Sequence, residues 1–393
     1  MMRVWRAGIK VTLARIPRPF DEPRSSAPGP NSDRVLIFGA GLAVGWGVTT
    51  YDLALPGFLA RSLSSMTGRG ADVEVVAHPD LLLEDALPRL NTLRLWRYDA
   101  LVIVLGVNAA LHLNSLRGWQ RDMTTLLSGL EESFAGKPVV IAGIQRIRSI
   151  PVYDSVLGGI ADRHATRLNR ITAQLCATAR NATFAPMPDF ETPDDDRHRS
   201  PETYAEAARV MATALMPALA VATHQPGDPY RPFPHDEERA EAERQAAVDA
   251  LDLTDAEFGK AIDRILAVAQ LSLQAKVAVL TVLDHDRQLL RVSTRTSLTE
   301  VPRVGSFCDA TIRRRGGMVV PDALQDERFR DNPLVVGDPH IRFYAGFPLE
   351  SSTGERLGTL CVFDTEPRPA DDVDMVGLRD LALLAQRELR TSS

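Results

Sequence analysis

Residues 34–47 read RVLIFGAGLAVGWG, and this stretch decides the fold of the first half of the chain. An apolar run that ends in glycine is typical of a buried strand followed by a tight turn. Four similar runs follow it, at 73–77, 98–106, 137–144 and 184–187. Segments with the helical spacing of apolar residues lie between the runs, the clearest at 53–66 and 161–179. Strands that alternate with helices predict an α/β fold with a parallel sheet and functional groups at the carboxyl ends of its strands.

The composition excludes several classes of protein. The chain has 393 residues and a net charge of −6, so it lacks the basic field expected of a nucleic-acid-binding protein. Its 3 cysteines are too few for a disulfide scaffold. At roughly 150 residues per domain, the length predicts two or three domains.

The chain shows no segment typical of membrane insertion. No window reaches the run of about 18 apolar residues that a spanning helix needs. The basic segment 1–20 is interrupted by Lys10 and is followed by no cleavage signal. We therefore expect a poorly ordered basic tail rather than a signal peptide or a membrane-surface helix. We also expect a cytoplasmic protein without membrane contact.

Shifts in composition divide the chain into four parts. Residues 1–32 are predicted to be a basic tail and connector, and residues 33–222 to form the first domain. A breaker-rich stretch at 225–234, followed by a segment rich in Glu, Arg and Ala, predicts a linker with a solvated helix over 223–250. Residues 251–390 form the second predicted domain.

The second predicted domain has a different pattern of elements. Thr254 and Glu257 have the spacing of a capping box and open a helix with one apolar face. An amphipathic helix at 373–389 ends the domain. Between the helices, predicted strands lie at 275–283, 288–294, 318–323, 343–349 and 357–363. This order predicts an antiparallel sheet with flanking helices.

Three blocks of the first domain resemble those of the SGNH (GDSL) hydrolases. The matching residues are Gly39 and Gly45, then Gly106 and Asn108, and finally Asp195, His198 and Tyr204. The resemblance implies a flavodoxin-like parallel sheet. In members that keep the whole motif, it also implies a hydrolase with a nucleophilic serine and a histidine–aspartate pair.

The chain departs from this family at the nucleophile. Gly41 stands where the family has its serine, and glycine has no side chain with which to form an acyl-enzyme. If Pro79 occupies the place of the glycine in the family's second block, an oxyanion donor is also missing, because proline has no N–H group. Asn108, which the family uses as a further donor, is retained. We therefore expect a pseudoenzyme.

The retained residues leave an enzymatic alternative open. Asp195 could orient His198, and His198 could activate water directly, which would give an ester or acyl hydrolase without a nucleophile. His78 and Asp80 form a second candidate pair beside the same cleft, although such loop pairs are more often solvated surface. No helical HxxxH or CxxC spacing indicates a metal site.

The second domain resembles the GAF domains of bacterial sensory proteins over nearly its whole length. Segments 303–312, 318–335 and 339–364 carry the resemblance. It implies a small-molecule pocket on one face of the sheet, a sensory or regulatory role, and a homodimer formed through the terminal helices near 254–271 and 373–389. The candidate pocket residues are Cys308, Asp322, Arg342 and Tyr344. Arg342 could bind a carboxylate or phosphate, or could instead pair with Asp322 or Asp326.

The cysteines admit several interpretations. Chromophore attachment at Cys308, as in bilin-binding GAF domains, lacks the histidine that commonly follows, because Asp309 stands there. Methionine-sulfoxide reduction uses a different cysteine pattern. Redox sensing through Cys308 and Cys361 is a third interpretation. We favour the fourth, that these thiols and Cys176 are reduced core residues. No cofactor is predicted, and the ligand of the GAF domain is an unidentified small molecule.

These patterns together predict a sensory or regulatory protein in which a GAF domain is coupled to a degenerate hydrolase-like domain. No kinase, cyclase or DNA-binding motif is recognisable, so we expect the output to pass through a signalling protein partner, the oligomeric state or domain packing. The alternative is a GAF-regulated ester or acyl hydrolase that uses His198 and Asp195.

Overall fold

The computed structural model describes residues 15–190, 199–221, 237–251, 253, 256–293 and 299–391. Most of the predicted basic tail therefore lies outside the described residues, as does the segment that contains Asp195 and His198. The chain divides into two compact units, Met1–Thr223 and His224–Ser393. Each unit is described by itself.

The first unit is built on a six-stranded sheet. Its strands are β1 (Arg24–Ala27), β2 (Asp33–Gly39), β3 (Ala71–Ala77), β4 (Ala100–Val104), β5 (Val139–Ala142) and β6 (Ala182–Ala185). Their order is β1-β3-β2-β4-β5-β6, and β2 to β6 run parallel to one another. The predicted α/β fold with a parallel sheet is confirmed. Every residue of β4 is buried, as expected for a parallel strand covered on both faces.

The strand β1 lies within the segment that the sequence predicts to be a connector. It pairs antiparallel with β3, from Arg24 opposite Glu74 to Ala27 opposite Ala71. A strand of 4 residues is too short to show a periodic pattern. The hydrogen bonds that hold it come from a neighbour distant in sequence, so local propensity gives no sign of them.

Helices cover both faces of this sheet. The α-helices are α1 (Leu55–Thr67), α2 (Ala86–Leu90), α3 (Val107–His112), α4 (Leu116–Ser133), α5 (Val156–Cys176) and α6 (Pro201–Val221). Single 3₁₀ turns are Gly41–Val44, Tyr51–Leu53, Leu83–Asp85, Leu95–Arg97, Ile147–Ser149 and Pro151–Tyr153. Side chains alternate along each strand, so Ile37 packs against α1 and α6, whereas Leu36 packs against α4 and α5.

The second unit contains an antiparallel six-stranded sheet with the order β10-β11-β12-β7-β8-β9. The strands are β7 (Val277–Asp284), β8 (Arg287–Val292), β9 (Thr299–Pro302), β10 (Met318–Val320), β11 (Phe343–Glu350) and β12 (Arg356–Asp364). The predicted antiparallel sheet is confirmed.

The helices of the second unit lie on both faces of its sheet. They are α7 (Glu237–Asp249), α8 (Ala256–Ser272), α9 (Phe307–Ile312), α10 (Pro333–Val336) and α11 (Met375–Thr391), with a 3₁₀ turn at Ala370–Asp372. On one face, α8 and α11 pack against Leu280 and Leu360. On the other face, α9 and α10 pack against Val279 and Cys361. None of the helices among the described residues of either unit is long and apolar enough to cross a membrane.

Helix α7 is packed against the second unit. The sequence predicts a solvated helix or linker here, because the segment is rich in Glu and Arg. Arg244, Gln245 and Val248 are nevertheless buried. Arg244 Nη1 donates to the carbonyl oxygen of Leu283, and Gln245 Nε2 donates to Asp284 Oδ1 at 2.8 Å. Polar side chains thus dock this helix onto the end of β7, a role that a hydrophobic pattern cannot indicate.

Candidate functional site

The turn after β2 places Gly41 at the carboxyl end of the sheet in the first unit. Its φ of +61° is a left-handed conformation that glycine adopts without strain. Among the described residues, a Cβ built on Gly41 would meet only Val107 Cγ2, at 3.5 Å, which is ordinary van der Waals contact. The position therefore has room for a side chain but carries none, and it offers no atom for nucleophilic attack.

The amide of Asn108 holds the neighbouring loop. Asn108 lies in the first turn of α3, and its Nδ2 donates to the carbonyl oxygens of Pro79, at 2.7 Å, and Leu81, at 3.2 Å. An amide nitrogen has two N–H groups, so both are engaged. In this arrangement Asn108 braces the loop after β3, and no donor is left on Nδ2 for an oxyanion. Its assignment to a residual catalytic site remains a prediction.

The loop after β3 approaches the turn after β2 through its main chain. The backbone N–H of His78 donates to the carbonyl oxygen of Gly39 at 2.9 Å. Nδ1 of His78 accepts a hydrogen bond from the backbone N–H of Asp80 at 3.2 Å. The hydrogen bond between His78 and Asp80 thus involves the backbone of Asp80 and not its carboxylate. Pro79, which lies between them, has no N–H with which to stabilise an oxyanion.

The third block of the first unit is described only from residue 199 onwards. Asp195 and His198 lie outside the described residues, so the proposed dyad stays a prediction. Tyr204 on α6 is fully buried, and its hydroxyl donates to the carbonyl oxygen of Trp46 at 2.7 Å. Burial raises the pKa of Tyr204 to about 12, although the neighbouring Arg199 acts in the opposite direction. This hydrogen bond fastens α6 to the loop after β2.

Arg199 is a buried residue of this region that the sequence did not single out. It is 2% exposed, and its Nη2 donates to Gln145 Oε1 at 2.9 Å. Gly47, in the loop after β2, passes so close that an added Cβ would overlap the carbonyl oxygen of Arg199. The only feature of the sequence that pointed to Arg199 is its position next to His198, and in an arginine-rich chain such a position is weak evidence for a functional role.

A polar cluster lies in the core of the second unit, on the sheet face covered by α9 and α10. It contains Cys308, Thr281, Tyr344 and Cys361, all of them buried. The Cys308 thiol donates to Thr281 Oγ1 at 3.5 Å, and the Tyr344 hydroxyl donates to Cys308 Sγ at 3.9 Å. Two of the predicted pocket residues, Cys308 and Tyr344, therefore lie together.

The two thiols of this cluster influence each other's ionisation. Cys361 lowers the pKa of the Cys308 thiol to about 7, although burial acts against it. Cys308, together with burial, raises the pKa of Cys361. The thiolate, which is the reactive form of cysteine, is therefore favoured on Cys308.

Aromatic rings fill the space beside these thiols. The ring of Phe307 stacks on Phe329, with the centroids 4.2 Å apart, and on Tyr344, with the centroids 4.9 Å apart. Phe329, Phe343 and Tyr344 are all buried. These aromatic side chains therefore form part of the core of the second unit.

The other two predicted pocket residues make local contacts. Asp322 Oδ1 accepts from the backbone N–H of Leu324 at 3.0 Å and so closes a turn. Arg342 Nη1 donates to the carbonyl oxygens of Val335, at 2.9 Å, and Ile341, at 3.0 Å. Both residues therefore order the loops around β10 and α10. Arg342 is half-buried.

Asp326, the other carboxylate considered for Arg342, is bound elsewhere. It pairs with Arg328, with 2.6 Å between Arg328 Nη2 and Asp326 Oδ2. The hydrogen bond from Arg328 lowers the pKa of Asp326, although burial opposes the shift. The ion pair orders the loop before α10.

An ion-pair network joins α7 to the start of α9. The guanidinium of Arg303 donates to Glu241 on α7 and to Asp309 on α9, the latter at 2.8 Å. Arg244 also pairs with Glu241, at 2.9 Å. Burial alone would raise the pKa of Glu241, but the hydrogen bonds from Arg303 and Arg244 outweigh it and lower the pKa to about 2. Helix α9, which carries Cys308, is thus connected to α7 by charged side chains.

One group of metal-type ligands occurs among the described residues, where α7 meets the turn after β7. It consists of Asp249, Asp284 and His285. Asp284 is already paired with Arg287 at 2.8 Å and accepts from Gln245 at 2.8 Å. A carboxylate bound by a guanidinium and an amide serves as a structural acceptor here.

Comparison with known families identifies the second unit. Residues 257–389 match the family model of the GAF domain, so the chain contains a GAF domain in this region. A cyclic di-GMP phosphodiesterase of Pseudomonas aeruginosa is 42% identical over 161 residues, which is 41% of this chain. The match covers 27% of that protein, so the chain spans about a quarter of the length of the curated relative.

The N-terminal region aligns with solved structures of several esterases and of a protein described as a putative SGNH hydrolase from Slackia heliotrinireducens. A carbohydrate acetylesterase from Sinorhizobium meliloti aligns with a TM-score of 0.37 and 15% identity over 47% of this chain and 99% of that chain. An aryl esterase from M. smegmatis aligns with a TM-score of 0.38 and 15% identity over 48% of this chain and 100% of that chain. A lipase/acylhydrolase from Enterococcus faecalis aligns with a TM-score of 0.37 and 17% identity over 46% of this chain and 94% of that chain.

Proposed function

We propose that the protein is a sensory or regulatory protein in which the GAF domain is coupled to a catalytically degenerate SGNH hydrolase-like domain. In this proposal the GAF domain responds to a small molecule, and the first unit contributes binding rather than chemistry. The cyclic di-GMP phosphodiesterase that shares 42% identity with this chain supports a role in signalling.

The position of Gly41 is the observation that carries the proposal. It lies at the carboxyl end of β2, where Val107 is the only described residue within 4 Å of a built Cβ, and it has no side chain to attack a substrate. Two further features, in α3 and in the loop after β3, weaken any oxyanion hole, because Asn108 Nδ2 is engaged by carbonyl oxygens and Pro79 has no N–H. Each missing donor would reduce the rate by about 100- to 1000-fold.

The alternative is a hydrolase in which His198 and Asp195 activate water directly, and an ester assay separates the two. We expect full-length wild-type protein to hydrolyse p-nitrophenyl acetate, butyrate and octanoate no faster than buffer does. Turnover by the wild type that disappears in His198→Ala, and persists in His164→Ala, would contradict the proposal. His164 is a partly buried histidine on α5 whose Nε2 bonds to the carbonyl oxygen of Asn114 at 2.8 Å, and it serves as the matched control.

A second candidate function, redox sensing, is favoured by the presence of Cys308 and Cys361 in one buried cluster of the second unit. Hydrogen peroxide would oxidise the Cys308 thiolate to a sulfenic acid with release of hydroxide. The Cys361 thiol would then attack the sulfenic sulfur, forming a disulfide and releasing water. The two thiols supply the two electrons that reduce the peroxide.

Peptide mapping of peroxide-treated full-length protein tests this candidate. We expect a Cys308–Cys361 disulfide in the wild type and in Cys176→Ser. In Cys361→Ser we expect the sulfenic acid on Cys308 to be trapped by dimedone. Recovery of both cysteines as free thiols after treatment would exclude redox sensing and leave them as core residues.

A further inference from the structure

Arg199 is a buried cation at the carboxyl edge of the first unit's sheet. Its side chain reaches Gln145, which follows β5, and its backbone lies against Gly47, which follows β2. The residue is placed directly before α6. In open α/β sheets, ligands bind beyond the carboxyl ends of the strands, which is where these loops meet.

Much of the Arg199 guanidinium lacks a hydrogen-bond partner among the described residues. Nε and Nη1 are both buried, and neither has an acceptor in good hydrogen-bond geometry, although the Tyr204 hydroxyl is near enough to raise the pKa of the guanidinium. Gln145, which accepts from Nη2, also donates to Ser149 Oγ at 3.3 Å, so its amide is held in place. Buried donors without acceptors cost free energy, and native structures leave few of them.

The surroundings of Arg199 also do not balance its charge. Burial lowers the pKa of the guanidinium, while Tyr204 and Tyr153 act in the opposite direction. Arginine nevertheless remains protonated in proteins. Within the described ranges, no aspartate or glutamate pairs with this side chain. An isolated buried charge is costly unless a counter-charge accompanies it.

We propose that Arg199 binds the carboxylate of a small-molecule ligand at this edge of the sheet. One carboxylate carries the single negative charge that one guanidinium balances. Nε and Nη1 lie on opposite sides of the guanidinium, so the carboxylate would accept from one of these two donors and not from both. Gln145 is a positioning residue, since it holds Nη2. The inference goes beyond the proposed function, because a carboxylate site here does not depend on whether the first unit hydrolyses esters.

Tryptophan fluorescence of the full-length protein provides a readout confined to the first unit. All four tryptophans lie within residues 1–223, the first unit. Thermal unfolding is followed in sodium acetate and, at equal ionic strength, in sodium chloride and in sodium phosphate. At acetate concentrations about ten times Kd, the unfolding midpoint should rise by about 3–5 °C relative to chloride. The rise in phosphate should be smaller.

Three variants connect this response to Arg199. Arg199→Gln removes the charge and should abolish the acetate-dependent rise. Gln145→Leu keeps the charge of Arg199 but removes the acceptor that positions it, and should raise the apparent Kd for acetate several-fold. This variant tests the proposed site if Arg199→Gln does not fold. Arg97→Gln is the control, because Arg97 is also buried but pairs with Glu74.

Each other outcome of this experiment overturns the proposal. The wild type could show no acetate response, or Arg199→Gln could respond as the wild type does, and either result removes the site. A response to phosphate larger than the response to acetate would show that the ligand is not a carboxylate.

Discussion

The backbone at Gly41 has a conformation that a substituted residue can adopt only at a cost. With φ at +61°, an L-residue pays about 1–2 kcal/mol relative to the right-handed conformation. The nearest described side-chain atom, on Val107, lies 3.5 Å from a built Cβ, so no clash adds to this cost. The backbone conformation therefore accounts for glycine at this position.

Gly41→Ser tests this account at one residue. We expect the first unit's unfolding midpoint, followed by tryptophan fluorescence, to fall by about 2–5 °C. We also expect no gain of esterase activity, because Asn108 remains engaged with the loop after β3. Gly47→Ser is the comparison, and it should destabilise more, since its Cβ would overlap the carbonyl oxygen of Arg199. A fully active Gly41→Ser variant would show an intact oxyanion hole.

The site residues differ in how far the sequence reveals them. Gly41 and Asn108 could be placed from the ordered blocks that surround them. The hydrogen bonds of Asn108 could not, because they depend on how the loop after β3 folds back. Arg199 escaped notice for a related reason, since its significance lies in burial and missing partners, and a single sequence shows neither.

Helix α7 is the element whose role depends most on charge. Glu241 on this helix accepts from Arg303 and Arg244, which hold its pKa near 2, below the ordinary value of 4.5. A carboxylate with a depressed pKa stabilises the folded state above its unfolded pKa. This contribution is lost as the pH falls from about 4.5 towards 2. The attachment of α7 should therefore weaken in acid.

Glu241→Gln tests the contribution of this network. Calorimetry of the full-length protein records the unfolding of both units. Tryptophan fluorescence reports only the first unit, so the remaining calorimetric transition belongs to the second unit. We expect Glu241→Gln to lower this transition at pH 6, with the difference from wild type shrinking towards pH 3. Glu243→Gln is the control, because Glu243 pairs on the helix surface with Arg239. A pH-independent difference would rule out a role for ionisation of Glu241.

The elements of both units were predictable to different degrees. Strands β2 and β4 are continuous apolar runs, and burial on both sheet faces explains why the pattern predicts them well. Strand β1 is held by pairing with β3, and α7 is held by polar side chains that reach Leu283 and Asp284. Hydrophobic periodicity detects neither kind of interaction.

At the scale of the whole molecule, we propose that the predicted homodimer forms through the terminal helices of the second unit. Helices α8 and α11 pack together and still expose apolar side chains, notably Val268 and Leu271 on α8 and Leu384 on α11. Exposed apolar groups on adjacent helices are typical of association surfaces. The exposure of these apolar side chains supports the proposed homodimer.

Light scattering after size-exclusion chromatography tests the homodimer. We expect a wild-type dimer and a monomer, or a dimer weakened at least tenfold, for Leu271→Asp, because the charge would be buried in the interface. Val304→Asp is the control, since Val304 is 87% exposed but lies outside the terminal helices. A monomeric wild type, or a Leu271→Asp variant that still dimerises, would contradict the helix-mediated interface.

Helix α7 also lies on the covalent route between the two units. It is the first described element after Thr223, where the first unit ends, and its Glu241 is joined through Arg303 to Asp309 beside Cys308. A structural change in the polar cluster around Cys308 could therefore be transmitted through α7 to the linker between the two units. The proposed coupling between the GAF domain and the first unit would therefore depend on Glu241, Arg303 and Asp309.

The central claim is that the first unit has lost its nucleophile, and covalent labelling measures this most directly. Full-length wild-type protein is incubated with a fluorophosphonate, which reacts with the nucleophilic serine of serine hydrolases, and its intact mass is recorded. The account predicts an unchanged mass, because Gly41 offers no atom to react. A stoichiometric adduct that maps to any residue of 33–222 would contradict it.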